Sequence, residues 1–269
     1  MAVDFEAIRK KLGQLSGNNR RKNSFWRPDT DTDYTVRILP FSDNDGQPFK
    51  ERHFYYNIGK NRGLLAPYQF DKPDPFQELI TKLRDEGAAG SKESYELAKK
   101  LYPKMRAYAA VIVRGEESEG PRLWSFGKTV YQQLLNIMID EDYGDITDPL
   151  SGRDIKIKVT KPEGQQWAKT EVLPRGKQTK LSGDAEQVEK WVEEIPSLDD
   201  IYQLKSYDVL AKIINDWLSD DEDSEDDTGT ERSGKTDASD SSDDDDDSSE
   251  STGEAHANID DAFKTLMKD

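Results

Sequence analysis

The sequence predicts a mainly β body with inserted and C-terminal helices, an α+β class, followed by a long acidic tail. Short β-rich segments recur through the body, residues 1–218. Residues 219–269 hold 20 Asp or Glu against 4 Lys or Arg, a net charge of −16. The whole 269-residue chain carries −17, so the acidic character belongs to the tail and the body is almost neutral.

The chain begins with a predicted amphipathic helix over residues 4–15. Its apolar residues recur at helical spacing on one face: Phe5, Ile8, Leu12 and Leu15. A basic arm follows Gly17 and contains Arg20, Arg21 and Lys22. These features set residues 1–26 apart as an N-terminal segment.

Several segments of the body have the composition of β-strands. Alternation is clear in residues 34–40 (YTVRILP), where Val36 and Ile38 share one face and Arg37 lies on the other. In the second strand only one of Tyr55 and Tyr56 can point outward, because successive side chains alternate. The remaining predicted strands are residues 49–58, 64–70, 104–114, 122–126 and 155–160.

Helical spacing predicts further elements between and after the strands. Helices at residues 76–84 and 95–101 interrupt the strand series, which predicts an inserted subdomain at about residues 60–103 within a core of residues 27–218. A helix over 128–140 places Val130, Leu134, Leu135 and Met138 on its apolar face. Two more helices, at 188–195 and 198–218, are expected to pack on the body.

The tail, residues 219–269, is expected to be disordered. It has no large apolar residue before Ile259, so it cannot bury enough surface to offset a chain entropy of about 1–2 kcal/mol per residue. Its last residues differ, because apolar side chains return there at helical spacing. We expect this end to dock on a partner protein through Ile259, Phe263, Leu266 and Met267, although a frayed terminus is the alternative.

The sequence indicates no enzyme. The chain has no cysteine and two histidines, and it contains neither a Gly-rich phosphate loop nor a Ser-centred nucleophile elbow. Acidic groups such as Asp29, Asp31 and Asp33 match no calcium-binding loop. We therefore expect no catalytic residue, no metal and no cofactor. The N-terminus lacks a secretory signal and no segment is long enough to span a membrane, so a cytoplasmic location is expected.

Aromatic residues lie close to lysine and arginine on the predicted strands and their turns. Unpaired bases stack on aromatic faces while basic side chains follow the phosphates, so this pattern favours a single-stranded nucleic acid. Proteins that recognise duplex DNA more often place a basic helix in a groove of the DNA, and no helix predicted here is basic enough for that role. The candidate contacts are Tyr55, Lys60, Arg62, Tyr68, Lys104, Arg106, Tyr108, Trp124, Lys128, Trp167 and Lys169.

Two other functions stay open at this point. An RNA-binding protein would show the same pattern of aromatic and basic residues. An acidic-tailed chaperone or scaffold for basic proteins would account for the tail but not for the aromatic residues on basic strands. The titration that separates these functions compares poly(dT), poly(U) and duplex DNA.

The order of features resembles the single-stranded DNA-binding, helix-destabilising protein of T-even-type bacteriophages. The resemblance rests on the N-terminal helix, YTVRILP, RAYAAVIV, RLWSFGKTVYQQLLNIM, IKIKV and the acidic tail with its apolar end. It implies an OB-fold-like five-stranded barrel with a small helical subdomain and a groove for single strands. By position, it implies groove contacts for Arg37, Lys104, Arg106, Tyr108, Trp124 and Trp167.

The resemblance also implies roles in DNA replication, recombination and repair in the cytoplasm of an infected bacterial host. Binding would be cooperative through self-association of the N-terminal segment. Here the basic arm, Arg20, Arg21 and Lys22, lies after the first helix, whereas the family's basic motif precedes it. The alternative candidates for this role are Arg9, Lys10 and Lys11. The tail would recruit replication and recombination proteins, and it would compete with DNA for the basic surface.

One family feature is missing from this sequence. The family typically holds zinc with three cysteines and a histidine, and this chain keeps only His53 as a possible ligand. We predict that zinc is absent. A hydrophobic mini-core is expected in its place, built from Leu64, Leu65, Tyr68, Phe70, Phe76 and Leu79.

Overall fold

The computed structural model describes residues 24–165 and 167–222. The predicted helix at 4–15, the basic arm at 20–22, the tail beyond residue 222 and the apolar residues near its end all lie outside the described residues. None of the described helices is both long and apolar enough to cross a membrane.

Eight strands and six α-helices make up the described chain. The strands are β1 Phe25–Trp26, β2 Thr32–Leu39, β3 Lys50–Tyr55, β4 Leu64–Leu65, β5 Lys104–Val113, β6 Arg122–Phe126, β7 Arg153–Thr160 and β8 Lys169–Gln178. The helices are α1 Pro75–Ala88, α2 Lys92–Leu101, α3 Lys128–Ile139, α4 Ala185–Glu193, α5 Leu198–Ile201 and α6 Tyr207–Glu222. The described chain divides into a first unit, residues 24–51 and 106–201, and a second unit, residues 52–105 and 202–222.

The first unit contains a mixed sheet in the order β1-β6-β5-β2-β7-β8. β1 is parallel to β6, and each of the other neighbours in this order is antiparallel. Its two end strands, β1 and β8, do not pair with each other in the described chain, so the sheet is not closed. The α+β class is confirmed, and a closed OB-type barrel is not.

The face of this sheet that carries Val36 forms a hydrophobic core, and the central strand β5 is buried on both faces. In β2, Val36 and Ile38 are fully buried, as the alternation predicted. The rings of Trp26 and Trp124 meet edge to face at 6.0 Å. Helix α3 buries Val130, Leu134 and Ile137. It contacts β8, where the backbone N–H of Val172 donates to Gln133 Oε1 at 3.2 Å.

The second unit has its own hydrophobic core, in the region where the mini-core was predicted. Leu64, Phe76 and Leu79 are buried in it together with residues from α2 and α6, and Tyr68 packs against it. Asp74 caps α1 by accepting a hydrogen bond from the backbone N–H of Phe76 at 3.1 Å. The same carboxylate accepts the Tyr55 hydroxyl at 2.8 Å, so one buried acid joins strand and helix.

Three local predictions were wrong. Residues 64–70 are not one extended segment, because a 3₁₀ helix, Pro67–Phe70, follows β4. The predicted helix at 198–218 is two helices, since residues 202–206 are not helical. Strand β8 was not predicted at all: it contains Pro174 and Gly176, and most of its side chains are exposed.

Candidate nucleic-acid interface

The structure sorts the predicted contacts by exposure. An exposed residue can contact a nucleic-acid strand directly, whereas a buried side chain cannot stack on a base unless the protein rearranges. Exposed are Lys60, Arg62, Lys104, Lys128 and Lys169; partly buried are Tyr68, Arg106 and Trp167; buried are Arg37, Tyr55, Tyr108 and Trp124.

Arg37 is part of a buried hydrogen-bonded network and does not lie on an open face. Its side chain is 0% exposed, and its Nε donates to Asp154 Oδ1 at 2.9 Å. Its Nη2 donates to both the carbonyl and the hydroxyl of Thr179, at 2.7 and 2.5 Å. Its Nη1 donates to the Asp148 carbonyl at 3.2 Å. Arg37 therefore ties β2 to two loop segments of the first unit.

Arg114 shares the same carboxylate. Its Nη2 lies 3.0 Å from Asp154 Oδ1, and its Nη1 donates to the Leu181 carbonyl at 2.8 Å. Burial lowers the pKa of Arg37 and the neighbouring positive charge of Arg114 adds to this effect, while the Asp154 carboxylate opposes it. Alternation placed Arg37 correctly on the face opposite Val36, but it could not show that the segments around residues 148 and 179–181 cover this face.

The buried aromatic residues have packing partners. Trp124 contacts Phe126 with ring centroids 4.5 Å apart. Tyr108 lies 6.3 Å from Phe25. Tyr55 stacks on Phe76 at 4.5 Å, and burial raises the pKa of Tyr55 well above its usual range. Aromatic pairs of this kind stabilise a core. These three residues were expected at the surface and are found inside.

An exposed basic surface lies on β7 and β8 of the first unit. The strand register places Lys156 opposite Leu173 and Lys158 opposite Glu171 on the face that is turned away from the core. The Arg175 guanidinium reaches Thr35 Oγ1 on β2 at 3.3 Å, so it lies on this face as well. We call this surface the β7–β8 face and define it by Lys156, Lys158, Lys169, Leu173 and Arg175.

Two carboxylates partly neutralise the β7–β8 face. Lys156 Nζ lies 2.6 Å from Asp33 Oδ2, and its hydrogen bond holds the pKa of Asp33 below its usual value. Lys169 Nζ lies 2.9 Å from Glu171 Oε1 and lowers the pKa of that carboxyl in the same way. Lys158 and Arg175 form no ion pair within 4 Å among the described residues, although the charge of Lys158 helps to lower the pKa of Asp33 and of Glu171, which lies opposite it. The face therefore carries two basic groups that can bind phosphate without breaking an ion pair.

An aromatic side chain lies in the connection between these two strands. Trp167 is partly buried and lies two residues before Lys169, while Lys161 is exposed just after β7 ends. The sequence predicted this tryptophan in a loop flanked by lysines, and the structure adds that both lysines adjoin paired strands. A base-stacking group thus lies beside cations that can follow a phosphate backbone.

The second unit has a basic-aromatic surface of its own, on α2. Lys92, Tyr95 and Lys99 are exposed and follow at i, i+3 and i+7, so they share one face of the helix, and the exposed Tyr102 follows the last helical residue as its C-cap. Within the described chain their side chains make no hydrogen bond or ion pair. Lys104 follows them at the start of β5 and is also exposed. This row supplies alternating cations and aromatic rings.

Lys60 and Arg62 lie in a turn of the second unit. A bridge between Ile58 and Asn61 closes this turn, and both basic side chains are exposed. In the same unit, the Arg52 guanidinium lies over the Phe70 ring at 5.5 Å, so this ring already has a cation against it.

The residues around His53 do not fit a zinc site. The chain has no cysteine to complete a tetrahedral set, and the His53 ring packs against Tyr68 at 5.7 Å. Gln69 holds this segment instead, because it accepts from the His53 N–H and donates to the His53 carbonyl. Among residues 24–165 and 167–222, no group of three or more His, Asp or Glu side chains could hold a metal ion. No function is derived through zinc.

The sequence-based reasoning missed several of these surface residues. Lys156 and Lys158 were visible in the alternation of IKIKVT, which places them opposite the buried isoleucines. Arg175 and the exposed Leu173 were missed together with β8. Tyr95 and Lys99 were missed because the prediction gave the bounds of the helix at residues 95–101 and assigned neither of its faces. The available signal was the helical spacing of lysine and tyrosine over residues 92–99.

The comparisons with known proteins agree with a nucleic-acid interface. A family model described as "gp32 DNA binding protein like" matches residues 30–216, which run from just before β2 into α6 and cover most of the 269 residues. A search of the curated proteins found no match.

Proposed function

The chain belongs to the gp32-like family of single-stranded DNA-binding proteins, and from this premise we propose that the β7–β8 face is a principal DNA contact. The observation that supports the proposal is the exposure of Lys158 and Arg175, which form no ion pair within 4 Å among the described residues. They lie on β7 and β8, the two strands that the loop with Trp167 connects. Phosphates would bind the cations, and a base would stack on the indole.

The basic-aromatic row on α2 is proposed as a second contact. Its exposed tyrosines and lysines offer the same chemistry as the β7–β8 face, and each unit therefore has a surface suited to a single strand. Binding without sequence preference follows, because every base has a face that can stack and every nucleotide carries a phosphate. The proposed roles are DNA replication, recombination and repair.

Cooperative binding and partner recruitment are proposed for the two segments outside the described residues. The N-terminal segment, with Arg20, Arg21 and Lys22, would contact the next protein on the strand. The acidic tail would compete with DNA for the basic surfaces and would offer Ile259, Phe263, Leu266 and Met267 to replication and recombination proteins. Because α6 continues to Glu222, the deletion that tests the tail should remove residues 223–269 and leave the helix complete.

The deciding experiment is a fluorescence titration with poly(dT), poly(U) and duplex DNA. Trp26, Trp124 and Trp191 are buried, and the partly buried Trp217 packs against the core of the second unit. Quenching on binding should therefore come mainly from Trp167, and Trp167→Phe should remove most of it. Strong quenching by poly(dT) alone supports the proposal. Equal affinity for poly(U) would favour the RNA-binding alternative, and no binding to any of the three would refute DNA binding.

A charge reversal tests the β7–β8 face directly. Lys158→Glu should weaken binding to poly(dT) and reduce the slope of log affinity against log salt by about 0.7, the value for one phosphate contact on a single strand. The matched control is Lys190→Glu on α4 of the same unit, where the lysine is exposed and lies 3.9 Å from Glu194. An equal loss in both variants would mean that net charge alone governs binding and that the face has no special role.

A further inference from the structure

The C-terminal end of α3 leaves apolar side chains in water. Leu135 was predicted on the buried face but is 39% exposed, and Ile139, the last residue of the helix, is 76% exposed. They are four residues apart, so they lie next to each other on one face of the helix. An isoleucine this exposed contributes nothing to the core of the first unit.

Negative charge surrounds these apolar residues. Asp140, Glu141 and Asp142 follow α3 directly, each is exposed, and none forms an ion pair within the described chain. Arg153 lies close by, but it donates to the backbone carbonyls of Asp142 and Tyr143 and not to these carboxylates. Acidic groups at a helix C-terminus oppose the helix dipole and so destabilise the helix.

The N-terminus of α3 shows the opposite mismatch. Lys128 is its first residue, no acidic residue occurs in the first turn, and Gly127 supplies no side-chain cap. Both ends of this helix therefore carry the charge that its dipole disfavours. This arrangement does not help the helix to form, whereas it suits a helix that presents an apolar and negatively charged end to a basic partner.

The complementary partner is present in the same sequence. Residues 4–22 combine a predicted apolar face, from Phe5 to Leu15, with two basic clusters, Arg9-Lys10-Lys11 and Arg20-Arg21-Lys22. We infer that the α3 end patch, defined as Leu135, Ile139, Asp140, Glu141 and Asp142, receives residues 4–22 of a neighbouring copy on the same strand. The inference rests on the proposed cooperative binding and names the surface that makes it possible.

The type of contact agrees with binding along a strand. A basic segment that meets an acidic patch is a heterologous contact, because the two surfaces differ, and such contacts repeat head to tail and form open chains. Copies that follow one DNA strand need this arrangement, whereas a self-complementary patch would end the assembly at a dimer.

The test measures cooperativity separately from binding. The full chain is titrated with poly(dT) and with a short oligo(dT) that accommodates one protein, and the ratio of the two affinities reports contact between neighbours. Ile139→Ser and Glu141→Lys should each lower this ratio at least tenfold and leave the oligo(dT) affinity unchanged. Val209→Ser on α6 is the control, since Val209 is an exposed apolar residue on a helix of the second unit.

Charge exchange identifies the partner segment. Arg21→Glu should lower the ratio as Glu141→Lys does, and the chain with both changes should recover it. An equimolar mixture of the two single variants should also recover it, because each supplies the complement that the other lacks. Recovery in the double variant without recovery in the mixture would mean that the segment docks on its own chain, which overturns the inference.

Failure of the inference and failure of the proposed function give different results. If Ile139→Ser and Glu141→Lys keep the ratio of poly(dT) to oligo(dT) affinity found in the wild type, the α3 end patch is overturned, while DNA binding and its cooperativity stand. If the wild type itself shows a ratio of one, the cooperative part of the proposed function is refuted. If the wild type does not bind oligo(dT), DNA binding itself is refuted.

Discussion

The buried network of Arg37, Asp154 and Arg114 leads to a prediction that depends on which partner is removed. Asp154 is the only carboxylate that pairs with these two guanidinium groups in the described residues, and its side chain is 11% exposed. Asp154→Asn keeps the shape of the side chain and removes its negative charge. It leaves Arg37, at 0% exposure, as a buried charge without an ion pair and with the second cation Arg114 beside it. The Asp148 carboxylate, which forms no ion pair with Arg37, is then the remaining negative charge that favours the charged guanidinium.

The expected cost of Asp154→Asn is about 3–5 kcal/mol of unfolding free energy, the range for removing one partner of a buried ion pair. Arg37→Met should cost less, about 1–3 kcal/mol, because it removes the buried charge itself and leaves Asp154 paired with Arg114. What it loses are the hydrogen bonds from Arg37 to Thr179 and to the Asp148 carbonyl. Asp154→Asn should therefore be less stable than Arg37→Met, although it is the smaller chemical change.

Urea unfolding followed by far-UV circular dichroism measures both variants. With a slope of about 2 kcal/mol per molar urea, a difference of about 2 kcal/mol separates the two midpoints by about 1 M. The reasoning is refuted if Arg37→Met is as destabilised as Asp154→Asn or more so, since the uncompensated buried charge would then not be the dominant cost. Lys190→Gln, at an exposed lysine, should leave the midpoint within error of the wild type.

Two further predictions concern stability. Gly152→Ala should destabilise the first unit by about 1–3 kcal/mol. The added Cβ would lie 2.4 Å from the carbonyl oxygen of Asp148 and 2.7 Å from that of Ile146. An unchanged melting temperature would contradict this prediction. Burial raises the pKa of Asp74 despite the hydrogen bond from Tyr55, so the folded state holds this proton more tightly than the unfolded chain does. The stabilising contribution of Asp74 is then fully present below its unfolded pKa of 3.8 and is lost as pH rises through the higher folded value. Denaturant titrations between pH 3 and 7 should show the stability of the wild type relative to Asp74→Asn declining over this range, and a constant difference would show that the pKa of Asp74 is not raised.

The sequence predicted the elements whose side-chain pattern is strong. β2, β5, β6, β7 and α3 were each placed within a few residues of their ends. The β-branched and aromatic composition of β2, β5 and β6, the alternation of β7 and the helical spacing of α3 are the signals that placed them. β8 was missed because an end strand has one neighbour and mostly exposed side chains, so its composition is that of a loop. The break between α5 and α6 was missed because residues 202–206 contain neither glycine nor proline.

The candidate interface was harder to predict than the fold. Alternation identifies which residues share a face, but it does not show whether another segment covers that face. Arg37 is the clearest case, since it lies on the face opposite the β2 core residues and is nevertheless enclosed by loops that come from more than 100 residues later. The sequence likewise did not show that Tyr108 and Trp124 are buried, because a ring that could stack on a base can equally pack in a core.

The position of β8 at the end of the sheet has a consequence for solubility. An end strand leaves backbone N–H and C=O groups without a partner strand, and such edges can pair with other chains and cause aggregation. β8 carries several known safeguards against this pairing, among them a proline at 174 and charged side chains at Lys169, Arg175 and Lys177. The basic residues for which we propose DNA contact also help to keep this edge from pairing with another sheet, so neutralising them should weaken both properties at once and leave Pro174 as a safeguard.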